Sequence, residues 1–379
     1  MPPSVAIAVS GLGRIRRGSE TWAMDLAKAL HDHGDAVRLH GSARVEAAVP
    51  QSPAWSIGRN SLWIRWLDPR RRYLVEQRTF AASLVRRLRR DLPDIVHVTD
   101  PQVSWWVRQA FRHQGPRVFY MDGLMLGPDW NWRFDHVQVL APHYIETARD
   151  GGRDTAAWRV IPHFIDPAPF AADASRREDR ARYLPGVPAD KPVVLAVGDF
   201  APGSAKRLDH VVAEVAGIPA ADRPHLMLVG NATPAERRAM DGFAGRHLGD
   251  GVTILCSLGR AEMAAVYHCA DLFAHAALKE PFGIVLLEAM ASRLPVVGHT
   301  FPVTRWIVGD GGRCVDMEET GALGRAILDW IRDPDGRRQA GDRARERVRQ
   351  CYSDVAVLPL YRRAYHEIHA VRARPAARP

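Results

Sequence analysis

Two glutamates with seven residues between them, Glu280 and Glu288, bracket a Pro281-Phe282-Gly283 turn within the run Lys279 to Ala291. The apolar stretch after the turn reads as a helix over 283–292. Glu288 is the one ionisable side chain in that helix, and an unpaired carboxylate is expensive to bury. The helix start at Phe282 and Gly283 offers free N–H groups and the positive end of the helix dipole to an anion. One carboxylate in the loop and one further along the helix can hold hydroxyls on two parts of a ligand, with its phosphates between them. This displaces the plainer reading, a buried helix with a capping glutamate.

Such carboxylates need a scaffold, and the chain supplies alternating strands and helices. Residues 4–9 form a short apolar run, followed by a Gly/Arg loop. A helix comes next, with Ala23, Leu26, Ala27 and Leu30 at i, i+3, i+4 and i+7 and Gly34 closing it. Further strands are expected at 37–39, 94–98, 117–121, 137–140 and 159–161. Strands separated by helical segments imply parallel βαβ units. Between Ile165 and Lys191 four prolines and a charged cluster break the pattern, as a linker would. A second series starts with strands at 193–197, 225–229 and 252–256 and helices from Leu208, at 234–247 and at 261–269. A strand at 271–275, the glutamate helix, a strand at 295–298 and helices to the C-terminus complete it. The expected fold class is α/β, with two Rossmann-like domains facing each other across a cleft and ligands at the carboxyl ends of the strands. The expected boundaries are 1–165 for the first domain, 166–190 for the linker and 191–355 for the second. A terminal helix and frayed tail take 356–379.

At 379 residues, 46% hydrophobic and 25% charged, the chain has an ordinary globular balance that excludes wholesale disorder and fibrous architectures. Cys256, Cys269, Cys314 and Cys351 form no C-x-x-C pair, which argues against a zinc ribbon or disulfide scaffold. No run approaches the ~18 apolar residues of a membrane span. The apolar stretch Val5 to Val9 is too short for a signal peptide, so a cytoplasmic protein, peripheral to a membrane at most, is expected. Lys and Arg number 52 against 43 Asp and Glu, a net charge of +9. From Arg59 to Arg90 ten arginines stand against Asp68 and Glu76, so nearly all of the excess lies in one segment. Trp63, Trp66, Tyr73 and Phe80 are interleaved with it. That mixture suits an anionic membrane surface better than nucleic acid, for which no reader motif accompanies the charge. A solvated helix face is the plainer alternative. Gly11-Leu12-Gly13 is no dinucleotide fingerprint, because Arg16 stands where the third glycine belongs. His31-Asp32-His33 lacks the i, i+4 spacing of a metal pair, the aspartates at Asp94, Asp100 and Asp122 are isolated, and no metal site is expected.

The glutamate segment resembles the signature of retaining glycosyltransferases of family four, and the likeness extends over most of the chain. Pro93-Asp94-Ile95-Val96-His97-Val98 is similar to the family's third-strand segment. Val160-Ile161-Pro162-His163-Phe164-Ile165-Asp166 is similar to its first-domain end, Ala196-Val197-Gly198 to its second-domain start, and Ala270-Asp271-Leu272-Phe273 to the strand before the glutamates. The resemblance implies a GT-B fold whose C-terminal helix returns to the first domain. It implies a hexosyl transfer from a nucleoside-diphosphate sugar, with UDP or GDP as the nucleotide, to an acceptor hydroxyl on a sugar, a lipid-linked molecule or a natural product. No metal and no separate cofactor take part in that picture. Glu288 would hold the ribose hydroxyls and Glu280 the donor sugar, beside the backbone amides of Phe282 and Gly283. Lys206 would neutralise the diphosphate, with Arg207, Gly198 and Gly18 in the donor-binding set. Asp122 would join Glu280 and Lys206 in the catalytic set, and the loop from Gly13 to Glu20 would meet the acceptor.

The chain departs from the family pattern at particular residues. Asp199 follows Gly198 where an arginine is usual, and Arg207, or Arg14, Arg16 and Arg17, would have to replace it. Arg17-Gly18-Ser19-Glu20 has lost one glycine of Gly-Gly-x-Glu. Arg293 replaces a glycine after the glutamate helix. Met121-Asp122-Gly123 occupies the place of a first-domain histidine. A non-catalytic nucleotide-binding scaffold and a sugar-nucleotide hydrolase or epimerase are the competing readings.

Overall fold

The computed structural model describes residues 2–15, 18–112, 114–171 and 176–371. The backbone divides into two units, Met1–His163 together with Asp354–Pro379, and Phe164–Ser353. The first unit runs β1 (Val5–Ala8), α1 (Gly18–Asp32), β2 (Val37–His40), α2 (Pro69–Leu88), β3 (Ile95–Val98), α3 (Pro101–Ala110), β4 (Arg117–Met121), α4 (Pro128–Asn131), β5 (His136–Val139), α5 (Pro142–Asp150) and β6 (Trp158–Val160). Its six strands are parallel, in the order β2-β1-β3-β4-β5-β6. Strands β1 and β3 are buried at every position, as expected of a parallel sheet covered on both faces. The helices turn one apolar stripe to it, in α1 through Trp22, Ala23, Leu26, Ala27 and Leu30.

The second unit runs α6 (Arg176–Tyr183), β7 (Val193–Val197), α7 (Leu208–Ala216), β8 (His225–Gly230), α8 (Pro234–Leu248), β9 (Val252–Cys256), α9 (Arg260–Cys269), β10 (Leu272–His275), α10 (Ile284–Ala291), β11 (Val296–His299), α11 (Pro302–Val308), β12 (Gly312–Val315), α12 (Ala322–Arg332) and α13 (Pro334–Cys351). Its sheet is also parallel, in the order β12-β11-β10-β7-β8-β9. Each unit is therefore a six-stranded Rossmann-like domain.

A last helix, α14 (Asp354–Ala370), belongs to the first unit. The Tyr361 hydroxyl accepts from Trp22 Nε1 and from Gln138 Nε2, both at 2.9 Å. Tyr365 Oη lies 2.8 Å from His97 Nδ1. Among the described residues no helix is long and apolar enough to cross a membrane.

Two stretches differ from the sequence expectation. Residues 166–190 are no bare linker. Arg180 Nη2 of α6 donates to the Lys191 carbonyl at 2.7 Å, and Asp179 lies 3.4 Å from His268 of α9. The prolines bound this packed helix rather than preventing one. Strand β12 was expected as helix. A Cβ on Gly312 would stand 2.1 Å from the Val296 carbonyl oxygen, so the residue that weakens the strand pattern is the one that lets the two backbones meet.

Candidate functional site

In the second sheet, chain order reverses between β7 and β10: the strands after β7 add on one side and β10 begins the other. Ligands of open α/β sheets bind at the carboxyl ends of strands at such a switch point. The charged groups gather there. His275, the last residue of β10, has Nε2 at 3.0 Å from Glu280 Oε2. Lys206, in the loop after β7, donates from Nζ to that same oxygen. Among the described residues Glu280 Oε1 takes no hydrogen bond. Burial pushes the Glu280 carboxyl up, but the bond and charge of His275 and the Lys206 ammonium outweigh it and hold the group at about 2.

The backbone explains why these groups meet. A Cβ on Gly198, directly after β7, would lie 2.6 Å from Lys206 Cβ, and one on Gly230 would lie 1.7 Å from the Gly198 carbonyl oxygen. Two glycines thus let the loop fold over the strand ends. Gly283 has φ +85°, a left-handed conformation that glycine adopts without a steric penalty, and it redirects the chain from Glu280 into α10. About one turn along α10, Glu288 Oε2 accepts from the Tyr267 hydroxyl of α9 at 2.8 Å. Burial, then the charge of Glu288, raises the Tyr267 phenol well above its ordinary value, so it remains a donor. The buried Phe282 ring packs edge-on to Tyr352 and Trp306, with centroids 6.0 and 6.5 Å away.

The first sheet reverses between β1 and β3, and a second network occupies their carboxyl ends. Ser10 N donates to Asp100 Oδ2 at 2.5 Å, and the Tyr73 hydroxyl donates to Asp100 Oδ1 at 2.9 Å. Arg59 grips Glu76 through Nε and Nη2, at 3.1 and 2.5 Å, and lies over the Tyr73 ring. Burial pushes the Asp100 and Glu20 carboxyls up. Beside this network a cavity of about 680 Å³ is walled by Arg14, Trp55, Asn60, Trp63 and Glu76 among others.

Gly198, Lys206, His275 and Glu280 thus meet at one strand end of the second unit, and Gly283 turns the chain there into α10. The Phe282 ring is buried against Tyr352 and Trp306, and Glu288 lies further along α10 against Tyr267. Arg207 does not extend a free cation to that strand end: Nη1 donates to the Met317 and Ala276 carbonyls at 3.2 and 3.4 Å, which ties the guanidinium to the fold. Asp199 is exposed. Gly18 is the exposed first residue of α1 in the other unit. Asp122 has its oxygens committed, Oδ1 to Leu124 N and Leu126 N and Oδ2 to Asn131 Nδ2. It braces the 123–131 loop, and it does not line the cavity. Arg16 and Arg17 lie outside the described residues.

His275 escaped the sequence reading, and Arg59 and Trp63 of the 55–63 wall were read there as part of a basic surface stretch rather than as a cavity wall. The signal for His275 was present, a single polar residue closing the apolar run Leu272-Phe273-Ala274. Among the described residues His299, Asp316 and Glu318 bring three ligand-type atoms within 4.8 Å of one another. His299 Nδ1 there already accepts from Met317 N at 3.1 Å.

Comparison with known proteins matches residues 16–169 to "Glycosyltransferase Family 4" and residues 177–347 to "Glycosyl transferases group 1". The D-inositol 3-phosphate glycosyltransferase of Kineococcus radiotolerans is 32% identical over 241 residues, 58% of this chain and 55% of that protein. The N-acetyl-alpha-D-glucosaminyl L-malate synthase of Bacillus anthracis is 26% identical over 186 residues, 48% of this chain and 47% of that protein. The chain spans about half the length of the curated relatives it matches. Among solved structures, sucrose-phosphate synthase from Thermosynechococcus elongatus superposes with a TM-score of 0.84 at 22% identity, covering 97% of this chain and 99% of that one. Anabaena HepE in complex with UDP and glucose gives 0.76 at 18% identity, covering 96% and 100%.

Proposed function

The chain belongs to the family-four glycosyltransferases, and from that premise we propose that it moves a hexose from a nucleoside diphosphate to an acceptor hydroxyl with retention at the anomeric carbon. The observation that carries this reading is the convergence of Lys206 and His275 on Glu280 at the second unit's switch point, with Glu288 anchored further along the same helix. Glu288 holds the ribose hydroxyls and is steadied by Tyr267. Glu280 is ionised throughout the neutral range, so it is a poor base and a good hydroxyl acceptor, and its unused oxygen Oε1 takes a sugar hydroxyl. An ammonium has three N–H groups, and Glu280 takes one on Lys206. The others serve the diphosphate as it leaves with growing negative charge. The departing phosphate accepts the acceptor's proton, and the protein contributes position and charge. Lys206 supplies that charge without a metal ion. The first unit's cavity takes the acceptor, and its walls include Arg14 and the 55–63 segment in place of Asp122.

One observation favours a second reading, a nucleotide-binding scaffold without turnover. Arg207 is spent on carbonyls while Asp199 is exposed where the family carries a cation.

Calorimetric titration with UDP, GDP, ADP and dTDP separates the readings, run on the wild type, Glu288→Ala and Glu288→Gln, with and without EDTA. UDP comes first, because the HepE structures hold UDP and UDP-glucose. Binding of one diphosphate that is lost in both variants and indifferent to EDTA supports the donor pocket, and an acceptor screen with that nucleotide's sugars follows. Binding with no transfer to any acceptor favours the scaffold. Turnover with no acceptor present points to a hydrolase or epimerase.

A further inference from the structure

The turn ahead of α2 exposes large apolar side chains that nothing in the first unit covers. Leu62, Trp63 and Trp66 are 75%, 87% and 78% exposed, and Trp55 is 62% exposed. Isolated exposed apolar residues are ordinary, but a cluster of this size marks a contact surface. The turn is fixed rather than loose. Arg72 donates from Nε to the Leu67 carbonyl at 2.7 Å and from Nη2 to the Arg65 carbonyl at 2.6 Å. Trp66 Nε1 donates to the Trp63 carbonyl at 3.2 Å, and Asp68 caps α2 by accepting from Arg71 N at 3.0 Å.

The helix that follows carries the charge. Arg71, Arg78, Arg86 and Arg89 recur at intervals that set them within an arc of roughly 80° at 100° per residue. All four are exposed. Among the described residues Arg65, Arg70, Arg78, Arg86, Arg87, Arg89 and Arg90 have no carboxylate partner, because the segment's two acids, Asp68 and Glu76, are taken by Arg71 and Arg59. Two of these guanidinium groups, Arg65 and Arg70, flank the exposed indole rings. The other five continue the positive charge along α2 to its far end, about 25–30 Å away at 1.5 Å per residue. The combination matches an interface that is anionic at its surface and apolar just beneath it. We propose that this face, the Leu62–Trp66 turn with the arginine side of α2, docks the protein on an anionic lipid bilayer. Rings enter the headgroup boundary and guanidinium groups meet lipid phosphates. Nucleic acid would use the charge but has no use for a protruding Leu62. A second copy of the chain would bring the same positive charge against itself.

Vesicle sedimentation of the full chain, with no donor or acceptor added, tests this independently of the transfer reading. The wild type is expected to pellet with vesicles containing phosphatidylglycerol, less so as salt rises, and to remain in solution with phosphatidylcholine alone. Each guanidinium near the surface is worth about fivefold in partition. The variant Arg78→Ala/Arg86→Ala/Arg89→Ala should therefore lose on the order of a hundredfold. Trp63→Ser/Trp66→Ser should lose binding while keeping the circular dichroism and Tm of the wild type. Equal partition into neutral and anionic vesicles overturns the proposal. So does wild-type partition in the Trp63→Ser/Trp66→Ser protein, or binding to an RNA oligonucleotide but to no vesicle. Light scattering that shows a wild-type dimer split by the tryptophan substitutions would assign the face to self-association instead.

Discussion

Glu280 is the side chain whose environment leaves the clearest mark in solution. Its carboxyl is held at about 2 against an ordinary 4.5, so the folded state binds that proton less readily than the unfolded chain does. The stability it contributes is complete above pH 4.5 and disappears as pH falls towards 2, on the order of 3 kcal/mol in all. Urea unfolding of the wild type and Glu280→Gln should therefore give a stability gap that is wide at pH 7 and narrow at pH 3. A gap that stays constant would mean that Lys206 and His275 do not hold the carboxylate. His40 and His97, pushed down by burial to about 4 and about 3, also cost stability as pH falls below 6.5. They do so in both proteins, so only the difference isolates Glu280. Tyr267→Phe removes the hydroxyl that steadies Glu288 and leaves the ring in place. Under the donor-pocket reading it should weaken nucleotide binding by roughly ten- to a hundredfold, the range of one hydrogen bond to a charged group, while Phe at this position leaves the fold intact by circular dichroism. At this scale the sequence was partly legible. The paired glutamates declare themselves because a carboxylate in an apolar helix needs a reason. Arg207 could not be assigned, because a guanidinium is equally suited to a phosphate and to two backbone carbonyls, and only the fold shows which it meets.

Among the elements, α14 makes the most specific docking. Its Tyr361 hydroxyl accepts from Trp22 of α1 and Gln138 of β5, joining three elements at one oxygen. Gln138 Nε2 also donates to the Ile161 carbonyl at 2.8 Å, so it keeps a partner if Tyr361 is lost. Trp22 Nε1 does not, and a buried donor left without an acceptor costs about 1–3 kcal/mol. Tyr361→Phe should lower stability by that amount and speed hydrogen exchange through residues 354–371. Wild-type exchange there would mean that α14 is held by apolar contact alone. The elements were legible where periodicity was strong: 117–121, 193–197 and 252–256 are strands at the expected residues. The exceptions have physical causes. In β12 the glycine needed for close strand approach removes the β-branched signal. In α6 the sequence Arg176-Arg177-Glu178-Asp179-Arg180 has no apolar stripe to announce it, and the helix is held by polar contacts that only the folded chain brings together.

Over the whole molecule the two units differ in how the chain builds them. The second is continuous from Phe164 to Ser353, whereas the first is completed by residues that arrive after the second has been made. The alternation of strands and helices announces two parallel sheets. Periodicity cannot announce which sheet a terminal helix joins, because an apolar stripe does not name its partner; here Tyr361 and Tyr365 decide it by meeting Trp22, Gln138 and His97. This arrangement has a consequence for fragments. The segment 164–353 carries the whole of its sheet and both anchored glutamates, so expressed alone it should unfold cooperatively. Under the donor-pocket reading it should also bind the same nucleoside diphosphate as the full chain. The segment 1–163 lacks α14 and exposes the core faces of Trp22, His97 and Phe119, so alone it should aggregate or bind a hydrophobic dye. Adding a peptide of residues 354–371 should reverse that. The two fragments, compared by thermal melting and by nucleotide titration, separate two ideas. If 164–353 folds without binding nucleotide, the pocket needs the first unit. If 1–163 folds unaided, the tyrosine contacts of α14 do not complete the first unit's core.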